Sequence, residues 1–165
     1  MKIRKSTEQD FPRMMEIYAF AREYMKQHGN PNQWGATNWP PEALIHADIK
    51  EGNSYVCLND SDRVIGTFYF IQGQDIEPTY KTITEGEWKG SHNYGVVHRI
   101  ASDGSEKGIG AFCLDWAYKQ CGNLRIDTHG DNLVMQGLLK KLGFVHCGTI
   151  YVDVDNDPRL AYEKF

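Results

Sequence analysis

The sequence predicts a single mixed α/β (α+β) domain, a sheet of about six to seven strands flanked by about four helices, on three observations. The chain has 165 residues, the size of one domain with room for a core of more than one layer. Segments of β-branched or alternating character are interleaved with segments whose apolar residues recur at three- and four-residue spacing. Neither an internal repeat nor a low-complexity linker divides residues 1–165, so one α/β domain is expected over all of them.

The elements follow in order. Lys2 to Lys5 alternates as a strand, and Thr7-Glu8-Gln9-Asp10 has the form of a capping box, so a helix is expected from near Glu8. Its apolar side carries Phe11, Met14, Met15, Tyr18, Ala21 and Met25, and His28-Gly29-Asn30-Pro31 stops it. A loop with Trp34 and Trp39 leads to a second helix from Pro41 to Gly52. These tryptophans either cap the core edge or line a substrate cleft. Ser54 to Leu58 and Val64 to Ile71, joined by a polar turn, form a hairpin. Gly73 to Gly90 is a long aperiodic excursion of the kind that often carries function, and Tyr94 to Ala101 resumes as a strand. Gly108 opens a helix that ends before Gly122, Leu124 to Thr128 is a strand, and Asn132 to Leu142 is a helix stopped by Gly143. Phe144 to Val152 and Leu160 to Phe165 are the last strands, separated by the Asp155-Asn156-Asp157-Pro158 turn.

Composition excludes several functions. A net charge of −4 with interspersed signs argues against nucleic acid as a partner. The basic start, Met1 to Lys5, is not followed by the apolar run of a secretory signal, and no stretch is long enough to span a bilayer, so a cytoplasmic protein without a membrane partner is expected. Cys57, Cys113, Cys121 and Cys147 lack paired spacing and read as reduced, mostly buried residues. No metal is expected. The histidines and cysteines show no zinc spacing, and in Asp153-Val154-Asp155-Asn156-Asp157 a calcium loop fails, with Pro158 where its glycine is needed and Lys164 where its bidentate Glu would be.

The segment from His98 to Gly110 is a strand running into a glycine-bearing turn that opens a helix. Unpaired N–H groups of the first turn converge there, the helix dipole adds positive potential, and glycines admit a phosphate close to the backbone. Gly108-Ile109-Gly110 alone is weak, because Gly-x-Gly also serves as a plain tight helix entry. There is no Gly-Lys-Ser or Gly-Lys-Thr, and Cys113 stands where a dinucleotide fingerprint has its third glycine.

Ile100 to Gly110 resembles the acetyl-CoA signature of the GNAT superfamily, an apolar strand followed by Arg/Gln-x-x-Gly-x-Gly/Ala at a helix start. Asn132 and the Gly143-Phe144 pair also match the family, and the strand order agrees from Ile3 to Phe165. The resemblance implies a mostly antiparallel central sheet and an N-acetyltransferase using acetyl-CoA as co-substrate. Pantetheine would lie along Ile100, Ala101 and Ser102, the pyrophosphate on the amides of Glu106, Lys107, Gly108, Ile109 and Gly110 with Ser105 at the edge of the cofactor site, and Asn132 against the pantetheine. A backbone N–H near Ile100 would stabilise the oxyanion of acyl transfer. Two positions depart from the pattern. Ser105 replaces Arg or Gln, with Lys107 a replacement contact, and Leu139 stands where many relatives carry a Tyr that protonates the leaving thiolate.

The expected acceptor is a primary amine on a small molecule or peptide, attacking directly in a ternary complex, which needs a base. His98 is the nearest imidazole, with Tyr94 earlier on the same strand as a second candidate and Tyr151 as a substitute acid; each also has a plain structural reading. Asp127 to Asn132 reads either as capping by Asp131 with a turn at Gly130, or as a site in which His129 or Asp127 meets the acceptor. Trp34 and Trp39 would line that site. The alternative is a CoA-binding regulatory module without transferase activity. Exposed Trp34, Trp39, Trp88 and Tyr94 would instead provide a face for a homodimer.

Overall fold

The computed structural model describes residues Met1 to Phe165. The chain runs β1 (Lys2–Lys5), α1 (Phe11–Gln27), α2 (Glu42–Lys50), β2 (Ser54–Leu58), β3 (Val64–Gln74), β4 (Asn93–Ser102), α3 (Ile109–Cys121), β5 (Leu124–His129), α4 (Leu133–Lys141), β6 (Val145–Tyr151) and β7 (Pro158–Lys164). The seven strands form one sheet in the order β1-β2-β3-β4-β5-β7-β6. Only β4 and β5 are parallel; all other neighbours are antiparallel, as expected.

Side chains leave a strand alternately to its two faces. Val56 and Leu58 of β2 therefore join Met14, Ile17 and Tyr18 of α1 and Ile45 of α2 on one side. Cys57, between them, joins Ile109, Cys113 and Leu114 of α3 on the other, with Leu139 of α4 in the same cluster. All four cysteines are free thiols, three buried and Cys121 partly so. No helix is long and apolar enough to cross a membrane.

Three elements differ from expectation. Residues Glu8–Asp10 form one 3-10 turn and α1 starts at Phe11. The Asp10 carboxylate, which accepts from the Thr7 N–H at 2.8 Å, also takes the Arg4 guanidinium at 2.7 and 3.0 Å, drawing this first turn tight against β1. Pro41 sits just before α2 instead of within it. β7 begins at Pro158, a strand's first position, where a missing N–H breaks little of the ladder.

The excursion after β3 is anchored at depth. Glu163 of β7 is fully buried and accepts from Arg125 Nε at 2.8 Å, Lys89 N at 2.6 Å and Gly90 N at 2.9 Å. Arg125 also donates to the Ser91 carbonyl at 3.0 Å and lies over the rings of Tyr94 and Trp88 at 3.9 and 4.5 Å. Thr84 bonds both ways with Thr149 of β6, at 2.9 and 2.8 Å. Tyr94 is thus buried, Trp34 also, and Trp39 and Trp88 only partly exposed, so these aromatics do not form the open face that a dimer through them would use. Removing one partner of a buried pair leaves an uncompensated charge, at a cost of about 3–5 kcal/mol. Glu163→Ala should therefore lower unfolding free energy by about that amount, read as an earlier urea midpoint.

Candidate active site

The cleft starts where β4 and β5 part. Their pairing is confined to Gly95 with Leu124 and Val96 with Arg125, although β5 stays paired with β7 to its end. Beyond Val96 the edge of β4 that faces β5 has no partner strand, and a wedge opens between them. On its other side β4 bulges: Tyr69 pairs with His98 and Thr67 with Ala101, leaving Arg99 and Ile100 opposite Phe68 alone. Such an extra residue bends a strand and re-aims its side chains. Arg99 takes a left-handed conformation, φ 52°, which a non-glycine residue holds only when its surroundings impose it. Here they do. Tyr18 Oη donates to the Arg99 carbonyl at 3.1 Å, Asp48 accepts from the guanidinium at 2.9 and 3.0 Å, and the Tyr69 ring lies 4.3 Å beneath it.

Two cavities meet in the wedge, of about 370 and 360 Å³, with Met25, Ile100, Asn132 and Met135 in the walls of both. The second runs between α1 and α4, past Ile100, Ala101, Ser102 and Gly110. Four predicted carrier residues, with Asn132, therefore do line one channel. At its head Gly108 has φ +82°, and a Cβ there would meet no atom within 4 Å. The amides from Glu106 to Ala111 make no hydrogen bond within the chain; the first helical bond is Phe112 N to Gly108 O at 2.9 Å. Ser105 behaves differently. Its N–H and Oγ both donate to Asp103 Oδ1, at 2.9 and 2.6 Å, and Asp103 is itself paired with Arg13, so Ser105 is committed to the turn. The Ile109 side chain is in the core and leaves only its amide to the channel head, beside exposed Lys107.

The first cavity holds His98. Its Nε2 is 2.9 Å from Glu77 Oε2 and its Nδ1 3.9 Å from Asp127 Oδ2, which also accepts from Tyr80 Oη at 2.6 Å. Thr79 N and Oγ1 donate to the other Glu77 oxygen at 3.3 and 2.7 Å. Burial disfavours the charged Glu77 carboxylate, but its hydrogen bond to His98, the His98 charge and the Thr79 bonds outweigh this and hold its pKa at about 2. Asp153 also lines the cavity, without an ion pair, whereas its two guanidiniums are occupied, Arg99 by Asp48 and Arg159 by Asp155. Trp34, Trp39 and Tyr69 complete the apolar wall. Trp34 does so while packing edge-on against Tyr18 in the core, so it caps the core edge and lines the cavity at once.

Other predicted residues lie elsewhere. Tyr94 is buried behind the excursion, its Oη accepting from Glu77 N at 3.3 Å, so it positions Glu77 and does not face the cavity. Tyr151 is 56% exposed at the end of β6, outside both cavities. The His129 ring is spent on structure: Nδ1 accepts from Asp131 N at 3.0 Å and Nε2 meets Asp157 at 3.0 Å. Asn132, not Asp131, caps α4, its Oδ1 accepting from Met135 N at 3.1 Å. Leu139 is fully buried and lines neither cavity. Glu77, Tyr69, Asn30 and Gln33 were not found from sequence; no periodicity or motif marks them.

A carboxyl whose folded pKa lies below its ordinary 4.5 gives stability that is complete above 4.5 and is lost as pH falls toward about 2. Glu77→Gln should remove this contribution. Melting temperatures at pH 6 and pH 3 should therefore differ less for the variant than for the parent protein.

No protein-family model and no curated protein matches the chain. Solved structures do. A GNAT-family acetyltransferase from Streptococcus agalactiae is 29% identical over 99% of this chain and 94% of that one, with a TM-score of 0.88. A ribosomal-protein-alanine N-acetyltransferase from Brucella melitensis is 19% identical, covering 100% and 99%, at a TM-score of 0.64. A GNAT-superfamily phosphinothricin acetyltransferase from Sinorhizobium meliloti, solved in complex with AcCoA, is 18% identical over 99% and 86%, at 0.64. The last two speak for the fold alone. The seven-stranded sheet is that of the GNAT proteins, and the chain is similar over nearly its whole length to an acetyltransferase of this family.

Proposed function

We propose that the chain transfers an acetyl group from acetyl-CoA to a primary amine of a small molecule or peptide. The observation that carries this reading is the run of unbonded amides from Glu106 to Ala111 at the head of a channel that leads to His98. These amides and Lys107 would hold the diphosphate, as a helix N-terminus suits an anion. Ile100, Ala101 and Ser102 would bind pantetheine along the open edge of β4, with Asn132 opposite. When bound, acetyl-CoA supplies an acetyl group activated as a thioester.

The remaining work falls to side chains. His98 with Nε2–H donated to Glu77 keeps Nδ1 as its lone-pair nitrogen, directed to the Asp127 side of the cavity. Nδ1 is thus placed to take a proton from an acceptor ammonium, and the two carboxylates stabilise the imidazolium that results. Tyr69, whose phenol burial keeps protonated, is the tyrosine on the cavity wall. Glu77, Asp127 and Asp153, facing a cavity whose arginines are already neutralised, favour a cationic acceptor. The meeting of both cavities at Ile100 supports direct attack in a ternary complex.

Calorimetry should show acetyl-CoA binding that Gly108→Trp removes; equal affinity for both proteins would count against the site. With an amine panel, His98→Gln should lower kcat by about 10²-fold or more at pH 7. The buried Leu139 favours one other reading, a CoA-binding module. That reading would be supported by intact binding with negligible thiol release across the panel, and brisk turnover of any amine would eliminate it.

A further inference from the structure

Three side-chain amides join where the two cavities meet. α1 ends at Gln27, Gly29 turns the chain with φ +79°, and Asn30 N–H donates back to the Met25 carbonyl at 2.8 Å. This turn brings Asn30 into the wall of the channel between α1 and α4, only 2% exposed. Asn30 Nδ2 donates to Gln33 Oε1 at 2.8 Å, and the same oxygen accepts from Asn132 Nδ2 at 3.0 Å. With Asn132 Oδ1 used in capping α4, the chain of amides is closed at that end.

It is open at the other. Asn30 Oδ1 is buried and has no donor within the protein. A buried carbonyl without a donor costs about 1–3 kcal/mol, and a Leu or Met here would fill the wall without it. Asn30 is therefore not explained by packing. The channel beside it is largely apolar, walled by Phe20, Ala21, Met25 and Leu138, and it runs from Gly110 of α3 to Ile100, where it meets the cavity of His98. A ligand lying along it whose middle portion carries amide N–H groups would supply the missing donor once the wall yields enough to uncover Oδ1, which has almost no accessible surface. The pantetheine arm, with two secondary amides between its diphosphate and its sulfur, has this chemistry.

We propose that Asn30 is a carrier-binding residue, its Oδ1 accepting from a secondary amide N–H of the pantetheine arm while Gln33 and Asn132 hold its side chain in place. The inference rests on acetyl-CoA binding as proposed above. It also gives Gln33 a second consequence. Gln33 lies in the wall of the acceptor cavity next to Trp34, so a carrier that fixes Asn30 also fixes the loop that forms the acceptor wall.

The test compares two ligands by calorimetry: CoA, and adenosine 3′,5′-bisphosphate, which lacks the pantetheine arm. Asn30→Ala should weaken CoA by about 5- to 20-fold while the bisphosphate keeps its affinity within about twofold. Unchanged CoA affinity in a folded Asn30→Ala protein overturns the inference. Equal weakening of both ligands does so too, because it marks a general structural role. Asn30→Ser, whose hydroxyl is too short to replace Oδ1, provides the same comparison should Asn30→Ala fail to fold. Parent protein that binds neither ligand overturns the acetyl-CoA reading itself, and this inference with it.

Discussion

The separation of β4 from β5 after two paired residues is the constraint on which the rest of the molecule depends. Two parallel strands need a crossover, which α3 supplies, and a crossover helix begins where the first strand ends. The unbonded amides of α3 are thus delivered to the mouth of the wedge by topology, before any side chain is considered. Had pairing continued past Val96, the edge of β4 at Ile100 to Ser102 would be closed and His98 would face a ladder, not a cavity. α1 and α4 can flank a channel only because the strands beneath them have diverged.

Around this opening, charge is used to fix geometry. Asp48 and Tyr18 impose the unusual backbone of Arg99, and Glu163 with Arg125 clamps the excursion that brings Glu77 to His98. Burial outweighs the Arg99 bonds at Asp48, whose carboxyl is pushed above its ordinary range. Such a pair contributes little net stability. Its value lies in allowing one arrangement of the bulge.

Much of this was legible in the sequence, because it is local. The order of elements and the glycine-bearing entry to α3 follow from spacing and from backbone chemistry within a few residues, whereas Asn132 is implied by the family resemblance alone and local chemistry pointed to Asp131 as the cap. Glu77 was not legible, since its place is set by partners far along the chain, His98, Tyr94 and, through Lys89 and Gly90, Glu163. Tyr94 is instructive. Strand periodicity correctly puts it on one side with His98, four residues on, and both meet Glu77, but the excursion covers the tyrosine and leaves the histidine at the cavity. His129 and Tyr151 were singled out by residue type at strand ends, where the direction of the side chain is decided by turns that no period describes.

The place of β7 has a consequence for synthesis. It lies between β5 and β6, although it is made after both. Until it emerges from the ribosome, β5 and β6 each expose an edge with apolar neighbours, and Arg125 has no carboxylate to meet. The nascent chain can form the hairpin of β2 and β3 and the helices early. The wall that carries Asp127 is completed last, by the arrival of a strand whose one side chain on the cleft is Arg159.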